Sequence, residues 1–167
     1  SSDVCSSDLS RNYEFHAFSL HKACVEILEI VEPTLQSKKI TLIQNLESDP
    51  QAYGDSIQIQ QVLINVFNNA IDVMSHSNAQ AKEIQLTITQ NEKMAILRVQ
   101  DTGTGIDAAL LPSIFELYKT TKQGGLGVGL WLSKTIMERH QGSITASNSA
   151  DGGAVFEIQI PLAKSIS

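Results

Sequence analysis

One amphipathic segment near the middle of the chain, QVLINVFNNAIDVM at residues 61–74, most constrains how this protein can fold. Its apolar side chains recur at intervals of three and one, which predicts a helix with a single buried face. Ile59, just before the segment, continues the same pattern. The apolar side chains are then Ile59, Val62, Leu63, Val66, Phe67, Ala70, Ile71 and Met74. Asp55 stands where an N-cap is expected, so we predict a helix that begins there and packs on a core.

The opposite face of this helix is polar but almost uncharged. It carries Gln58, Gln61, Asn65, Asn68, Asn69 and Asp72, and no Lys, Arg or Glu occurs in residues 56–81. Solvent-facing helix positions usually hold Lys, Glu or Arg, whereas Asn is a poor helix former. Asn65, Asn69 and Asp72 are spaced to share one side of the helix. We interpret them as the wall of a binding site; the alternative is an Asn-rich surface helix.

The remaining segments predict an α+β fold, a two-layer sandwich in which a mixed β-sheet is backed by about three helices. Besides the central helix, helices are expected at residues 20–37, with Ser19 as N-cap and Ile30 on the apolar face, and at 128–139, followed by a left-handed Gly142. Strands are expected within residues 13–20 and at 39–46, 83–89, 94–99, 143–148 and 154–160, with a loop at 49–54. We assign residues 1–13 to a disordered or non-native leader, 14–163 to one domain and 164–167 to a tail.

Charge, cysteine content and hydropathy exclude several classes of protein. The net charge is −6 and no basic patch occurs, so nucleic acid is not an expected partner. Cys5 and Cys24 lack C-x-x-C spacing, which fits a reducing compartment better than a disulfide framework or a zinc site. No apolar run approaches the roughly 20 residues of a membrane helix. We therefore expect a cytoplasmic domain, and a longer parent protein could carry a membrane anchor elsewhere.

A second motif, DTGTGI, follows a predicted strand and begins at Asp101. Its glycines let the backbone approach a flat ligand closely, and a carboxylate accepts hydrogen bonds, which suits an exocyclic amine such as that of adenine. One alternative is an ordinary turn after a strand. Another is an aspartic protease, in which two Asp-Thr-Gly carboxylates share a proton. This chain has one copy of that sequence, so the protease would require a homodimer.

A third motif, TTKQGGLGVGL at residues 120–130, places Gly124, Gly125, Gly127 and Gly129 before a predicted helix. Exposed backbone N–H groups and a helix N-terminus favour an anion, and Lys122 adds a positive charge. The spacing matches neither a P-loop nor a dinucleotide-binding fingerprint; a flexible lid without a ligand is the alternative. Because Asn69 can supply an amide oxygen to a Mg²⁺ that carries phosphate oxygens, the three motifs together predict a nucleoside triphosphate site.

Short motifs follow one another in a fixed order along most of the chain. They read Asn65-x-x-x-Asn69-Ala70, Asp101-x-Gly103-x-Gly105, Phe115-Glu116-Leu117-Tyr118, Thr120-Thr121-Lys122 and Gly125-x-Gly127-x-Gly129-Leu130. In this order they resemble the N, G1, F and G2 boxes of the catalytic, ATP-binding domain of sensor histidine kinases, with Thr-Thr-Lys similar to the nitrogen-regulation type. The resemblance implies the Bergerat fold shared with gyrase, Hsp90 and MutL, with ATP under a mobile lid.

The resemblance also implies a role for individual residues. Asn69 would hold Mg²⁺, Asp101 would bind the adenine amine, and residues 120–129 would form the lid and phosphate loop. The implied ATP-binding set is Asn65, Asn69, Asp72, Asp101, Gly103, Gly105, Ile106, Tyr118, Thr120, Thr121, Lys122, Gly125, Leu126, Gly127, Val128, Gly129 and Leu130. Within this set, Asn65 and Lys122 would act in catalysis.

Four positions depart from the family pattern or decide between its branches. Asp72 stands where many of these kinases carry a basic residue, Ala154 where relatives often have Thr, and Lys119 where an aromatic residue is expected. Asn65 occupies the place of the Glu that serves hydrolysing relatives as general base. Because an amide cannot accept a proton, the resemblance implies phosphoryl transfer rather than efficient hydrolysis.

The phosphoacceptor expected for this family is absent from the sequence. None of the four histidines, His16, His21, His76 and His140, is followed by an acidic residue, and we expect structural roles for them at the surface or partly buried. The implied partners are a helical hairpin domain that bears the acceptor His, in the same protein, and a response regulator. The parent is expected to be a homodimer and this piece a monomer. The alternative is a non-catalytic nucleotide-binding module, such as an anti-sigma-like regulator or a degenerate kinase.

Overall fold

The computed structural model describes residues 12–78, 81–117 and 126–166. Three α-helices occur in these residues: α1 (Leu20–Ser37), α2 (Ser56–Ser75) and α3 (Leu126–Arg139). The strands are β1 (His16–Ser19), β2 (Thr41–Asn45), β3 (Gln51–Gly54), β4 (Glu83–Gln90), β5 (Met94–Asp101), β6 (Ser143–Asn148) and β7 (Ala154–Pro161), and short 3₁₀ helices span Leu111–Ser113 and Ala163–Ser165. Most of the predicted leader lies outside the described residues.

The strands form two sheets. The larger has the order β2-β4-β5-β7-β6, in which β2 runs parallel to β4 and every other pair is antiparallel. The smaller pairs β1 with β3. Alternate residues of β4, β5 and β7 are buried, which shows that one face of the large sheet packs on the core. The predicted α+β sandwich, with a mixed sheet and three helices, is confirmed.

The central helix is confirmed almost as predicted. All eight apolar residues of its predicted face are buried, in a core shared with α1, α3 and the sheet. Asp55 caps the N-terminus, because its carboxylate accepts hydrogen bonds from the N–H groups of Ile57 and Gln58. Ser19 caps α1 in the same way through the N–H of Lys22. None of the helices in the described residues is long and apolar enough to cross a membrane.

Three local predictions are wrong. The segment predicted as a loop contains β3, which the periodicity did not reveal because its partner β1 is distant in sequence. Ile30 is 62% exposed, and Cys24 and Leu28 are buried in α1 instead. After α3 the left-handed residue is Gln141, with φ 57°, and not Gly142. The glycine is needed for space, because a Cβ there would lie 2.1 Å from the Gln159 carbonyl oxygen.

Candidate functional site

At one end of the large sheet, Asp101 and Asn148 lie on the side that faces the helices. Asp101, the last residue of β5, pairs with Ile84 of β4, and Asn148, the last residue of β6, pairs with Ala154 of β7. Asp101 is 3% exposed, and its Oδ1 accepts hydrogen bonds from the N–H groups of Gly103 at 2.9 Å and Ala154 at 3.1 Å. These two donors fix the orientation of a buried carboxylate at the edge of the core.

Ala154 takes part in holding this carboxylate even though it lacks the hydroxyl expected at its position. Its backbone N–H supplies the hydrogen bond. The preceding Gly153 must be glycine, because a Cβ there would lie 1.8 Å from the backbone oxygen of Asp101. The turn between β6 and β7 therefore packs directly on the strand end that carries Asp101.

The loop after Asp101 contains the two predicted pocket glycines. A Cβ on Gly103 would lie 3.0 Å from Val73 and 3.4 Å from the sulfur of Met74, so this glycine brings the loop against the C-terminal half of α2. Gly105 has φ +79°, and a Cβ there would lie 2.6 Å from the carbonyl oxygen of Gly152. Both glycines allow the loop backbone to lie close to other parts of the protein, and their predicted approach to a ligand stays a prediction.

Asn148 contacts the loop that follows Asp101, although it was not predicted from the sequence. Its Oδ1 accepts a hydrogen bond from the N–H of Ile106 at 2.7 Å, and its Nδ2 donates to the Ile106 carbonyl oxygen at 2.8 Å. One side chain thus pairs with both backbone groups of the loop residue. The one sequence signal was an Asn at the end of a predicted strand, where Asn is depleted.

Asn69 lies on the side of α2 that carries Asn65 and Asp72. It is 7% exposed, and its side chain makes no hydrogen bond with another residue in the described part of the chain. A buried amide without a partner is costly unless a ligand or water satisfies it. Asn69 therefore has the burial and the donor set that fit a ligand of Mg²⁺, whose preferred ligands are oxygens.

Asn65 is tied to helix α3. Its Nδ2 donates to the carbonyl oxygen of Gly129 at 3.1 Å and to Ser133 Oγ at 3.2 Å, while its Oδ1 accepts from Gln61 at 3.0 Å. Ser133 is fully buried, and its hydroxyl donates to the same Gly129 carbonyl oxygen at 2.9 Å. Ser133 was not predicted from the sequence, where its one signal was a polar residue within the apolar pattern of α3.

Helix α2 thus connects the two glycine motifs. Asn65 contacts Gly129 of the third motif, and Val73 packs beside Gly103 of the second. Asn69 lies four residues from each of these contacts, which corresponds to about 6 Å along the helix in either direction. The structure therefore places the start of α3, the buried Asn69 amide and the buried Asp101 carboxylate along one wall.

The other predicted site residues are distributed as follows. Asp72 is half-buried near the C-terminal end of α2. Ile106 packs against the core, and Leu130 is buried within it. Leu126, Gly127 and Val128 form the first residues of α3, whereas Tyr118, Thr120, Thr121, Lys122 and Gly125 lie outside the described residues, together with most of the predicted lid.

A buried histidine supports the start of α2. His140 is 2% exposed; its Nδ1 donates to the Ile136 carbonyl oxygen at 2.8 Å, and its Nε2 accepts from the N–H of Asp55 at 3.0 Å. Burial lowers the pKa of His140 from its ordinary value, against smaller raising effects from the Ile136 hydrogen bond and the Asp55 charge. This neutral ring joins the end of α3 to the capped start of α2, and it is more deeply buried than predicted.

Comparison with known proteins agrees with this geometry. Residues 54–164 match the family of histidine kinase-, DNA gyrase B-, and HSP90-like ATPases. The sensor protein FixL of Bradyrhizobium diazoefficiens is 42% identical over 111 residues, which cover 66% of this chain and 22% of FixL. The C4-dicarboxylate transport sensor protein DctS of Rhodobacter capsulatus is 29% identical over 153 residues, which cover 91% of this chain and 23% of DctS. This chain thus spans less than a quarter of the length of these relatives.

Solved structures show the same architecture. The catalytic domain of the histidine kinase ThkA matches with a TM-score of 0.79 and 28% identity, covering 89% of this chain and 98% of that domain. A structure of ThkA in complex with the response regulator protein TrrA matches with a TM-score of 0.78 and 25% identity, covering 99% of this chain and 47% of the ThkA chain. The chain therefore belongs to the family of histidine kinase-, DNA gyrase B-, and HSP90-like ATPases, and its fold is that of a histidine kinase catalytic domain.

Proposed function

We propose that this domain binds ATP with Mg²⁺ and donates the γ-phosphoryl group to a histidine of a separate helical hairpin domain, for relay to a response regulator. The observation that carries the proposal is the order of groups along α2. Asn65 holds the start of α3, the buried amide of Asn69 lies between, and Gly103 packs beside Val73 next to the Asp101 carboxylate. This order fits phosphates at one end of the wall and a base at the other.

Each end of the wall has its own chemistry. The Asp101 carboxylate, oriented by two backbone N–H groups, would accept the adenine amine. The start of α3 and the glycines before it would present N–H groups to the phosphates, with Lys122 adding positive charge. Asn69 would hold Mg²⁺, which when bound neutralises phosphate charge and orients the γ-phosphoryl group for in-line transfer.

Asn65 favours transfer over hydrolysis. An amide cannot take a proton from water, and both ends of this side chain are already engaged by Gln61 and by α3. Its role in the proposal is to hold the start of α3 beside the metal-binding amide. The hydroxyl or imidazole that receives the phosphoryl group would then have to come from outside this wall.

The histidines of the chain lack the features expected of the phosphoacceptor. Both ring nitrogens of His140 are occupied inside the core. His16, His21 and His76 each contact a backbone carbonyl oxygen through Nδ1, and none of them is followed by the acidic residue expected beside an acceptor His. An acceptor in another domain is therefore the simplest source of the nucleophile. The complex of ThkA with TrrA supports a response regulator as the next partner, and the proposal implies a cytoplasmic location.

The test is calorimetry of ADP binding to the 167-residue chain with and without Mg²⁺. Asp101→Asn should weaken binding under both conditions, because it removes the acceptor for the amine. Asn69→Ala should act mainly when Mg²⁺ is present. Matched controls are Asn68→Ala, an exposed neighbour on α2, and Asp49→Asn, an exposed carboxylate near Ser19. Unchanged affinity in both site variants would refute the site.

The identity of the phosphoryl acceptor has a separate test. The chain alone, incubated with γ-labelled ATP and Mg²⁺, should incorporate no acid-labile phosphate. Addition of a helical hairpin domain with an acceptor His from a related kinase should produce a labelled phosphohistidine on that domain. Label on any of the four histidines of this chain would contradict the assignment of the acceptor to another domain.

A further inference from the structure

The loop that follows Asp101 is held by a side chain from a different part of the chain. Asn148, at the end of edge strand β6, exchanges two hydrogen bonds with the N–H and the carbonyl oxygen of Ile106, at 2.7 and 2.8 Å. Opposite residues of an antiparallel ladder exchange the same pair of bonds. The Asn148 amide therefore extends the hydrogen bonding of the sheet edge by one pair of bonds. Through this pair it attaches a loop that is not itself a strand.

This pair of hydrogen bonds fixes the far end of a short loop. At the near end, Gly103 donates its N–H to Asp101 Oδ1 at 2.9 Å. At the far end, Gly105 lies so close that an added Cβ would be 2.9 Å from Asn148 Oδ1. The residues between Asp101 and Ile106 are thus fixed between two hydrogen-bonded points, with Thr104 exposed.

The attachment matters because, without it, the far half of the loop, from Thr104 to Ile106, would lose the hydrogen bonds that fix it. The whole loop contains two glycines and no regular secondary structure, and such segments open at low free energy. A ligand that needs one loop conformation binds more weakly when that conformation must first be selected. A side chain that holds the loop in advance removes this cost.

We propose that Asn148 is a positioning residue for base recognition: its amide fixes the Ile106 backbone and so holds the loop after Asp101 in the conformation that receives the base. The inference rests on the proposed function, since it names a further residue for the same site. Asn148 touches the loop and acts through it; contact with the nucleotide is not required of it.

The primary test is ADP calorimetry with Asn148→Ala and Asn148→Asp. Asn148→Ala removes both bonds and should weaken ADP binding roughly tenfold, the effect of about 1.4 kcal/mol. Asn148→Asp keeps an acceptor for the Ile106 N–H but sets a carboxylate oxygen against the Ile106 carbonyl oxygen, and it should weaken binding at least as much. Asn45→Ala is the matched control, because Asn45 ends the opposite edge strand β2 and is exposed.

The dependence on Mg²⁺ separates this role from one at the phosphates. The loss caused by Asn148→Ala should be the same factor with and without Mg²⁺, as for Asp101→Asn and unlike Asn69→Ala. A double-mutant cycle separates it from a general loss of stability. In the Asp101→Asn background, Asn148→Ala should cost little further affinity, because the recognition that the loop supports is already lost.

Hydrogen exchange reports on the attachment itself. The Ile106 amide should exchange several-fold faster in Asn148→Ala than in the unsubstituted chain, while the Asn45→Ala control leaves it unchanged. If Asn148→Ala does not fold, Asn148→Asp decides by the same measurements.

The outcomes distinguish the inference from the proposed function. If the unsubstituted chain does not bind ADP, the proposed function fails. If it binds, and folded Asn148→Ala or Asn148→Asp binds equally well, the positioning role of Asn148 is overturned while the proposed function stands. Full additivity with Asp101→Asn would also overturn it, because independent effects do not describe one loop acting on one base.

Discussion

The start of the Asn-bearing helix depends on one buried carboxylate, and replacing it should cost more than replacing an ordinary helix cap. Asp55 is 3% exposed. Its Oδ1 accepts hydrogen bonds from the N–H groups of Ile57 at 3.1 Å and Gln58 at 3.2 Å, and its Oδ2 accepts from the N–H of Glu14 at 3.1 Å. One side chain thus caps α2 and also attaches the segment that leads into β1.

The expected cost of Asp55→Ala follows from these bonds. Loss of an N-cap costs typically about 1 kcal/mol and at most about 2 kcal/mol. A hydrogen bond to a charged group contributes about 1.5–3 kcal/mol, and the lower end applies here because water can reach the exposed Glu14. Together they give about 2–4 kcal/mol, a large part of the roughly 5–15 kcal/mol that stabilises a typical domain.

Urea unfolding followed by circular dichroism measures this cost, with an expected decrease in midpoint of about 1–2 M. Ser19→Ala is the matched control, because Ser19 caps α1 through the N–H of Lys22 without a buried carboxylate, and it should cost about 1 kcal/mol. The cost of Asp55→Asn should lie between these two costs. The Asn amide oxygen can still cap α2, but the amide NH₂ group would face the N–H of Glu14, and two donors cannot form a hydrogen bond. If Asp55→Ala costs no more than Ser19→Ala, the reasoning from the third bond is refuted.

Three further predictions follow from other contacts. Ser133→Ala removes a buried hydroxyl that Asn65 and Gly129 share, so it should destabilise the fold by about 1–3 kcal/mol in urea unfolding and weaken ATP more than adenosine in calorimetry. Burial lowers the pKa of His140, so the unfolded chain takes up the proton at a higher pH than the folded chain; the contribution of His140 to stability should be complete above about pH 6.5 and be lost as the pH falls below it, and urea unfolding should show a smaller loss in His140→Gln. Burial raises the pKa of Cys24 to about 12, so in a Cys5→Ala variant, which removes the second cysteine, the Cys24 thiol should react with a maleimide at the rate of global unfolding; rapid labelling of that folded variant would contradict its burial.

Much of the fold was predictable because its signals are local. The apolar stripe of α2 and the caps Asp55 and Ser19 depend on residues within a turn or two of each other. The hairpins β4–β5 and β6–β7 likewise pair neighbouring segments. β3 was missed because its four residues pair with β1 across α1 and β2, and no local period marks such a strand. The displaced left-handed residue was missed because Gly142 is required by the carbonyl oxygen of Gln159, seventeen residues further along the chain.

The sequence by itself determined which residue types the candidate site can use: the amides of α2, the carboxylate and glycines of DTGTGI, and the glycines of the third motif. Their order was sufficient to indicate the family. The tertiary structure decided what each one contacts. Asn65 is bound to α3, Asn69 is buried with no hydrogen-bond partner among the residues that the structure describes, and Asn148 holds Ile106 from a strand 42 residues away. The reason is physical: the residue type sets which groups a side chain can offer, whereas its hydrogen-bond partners depend on how distant strands and helices pack together.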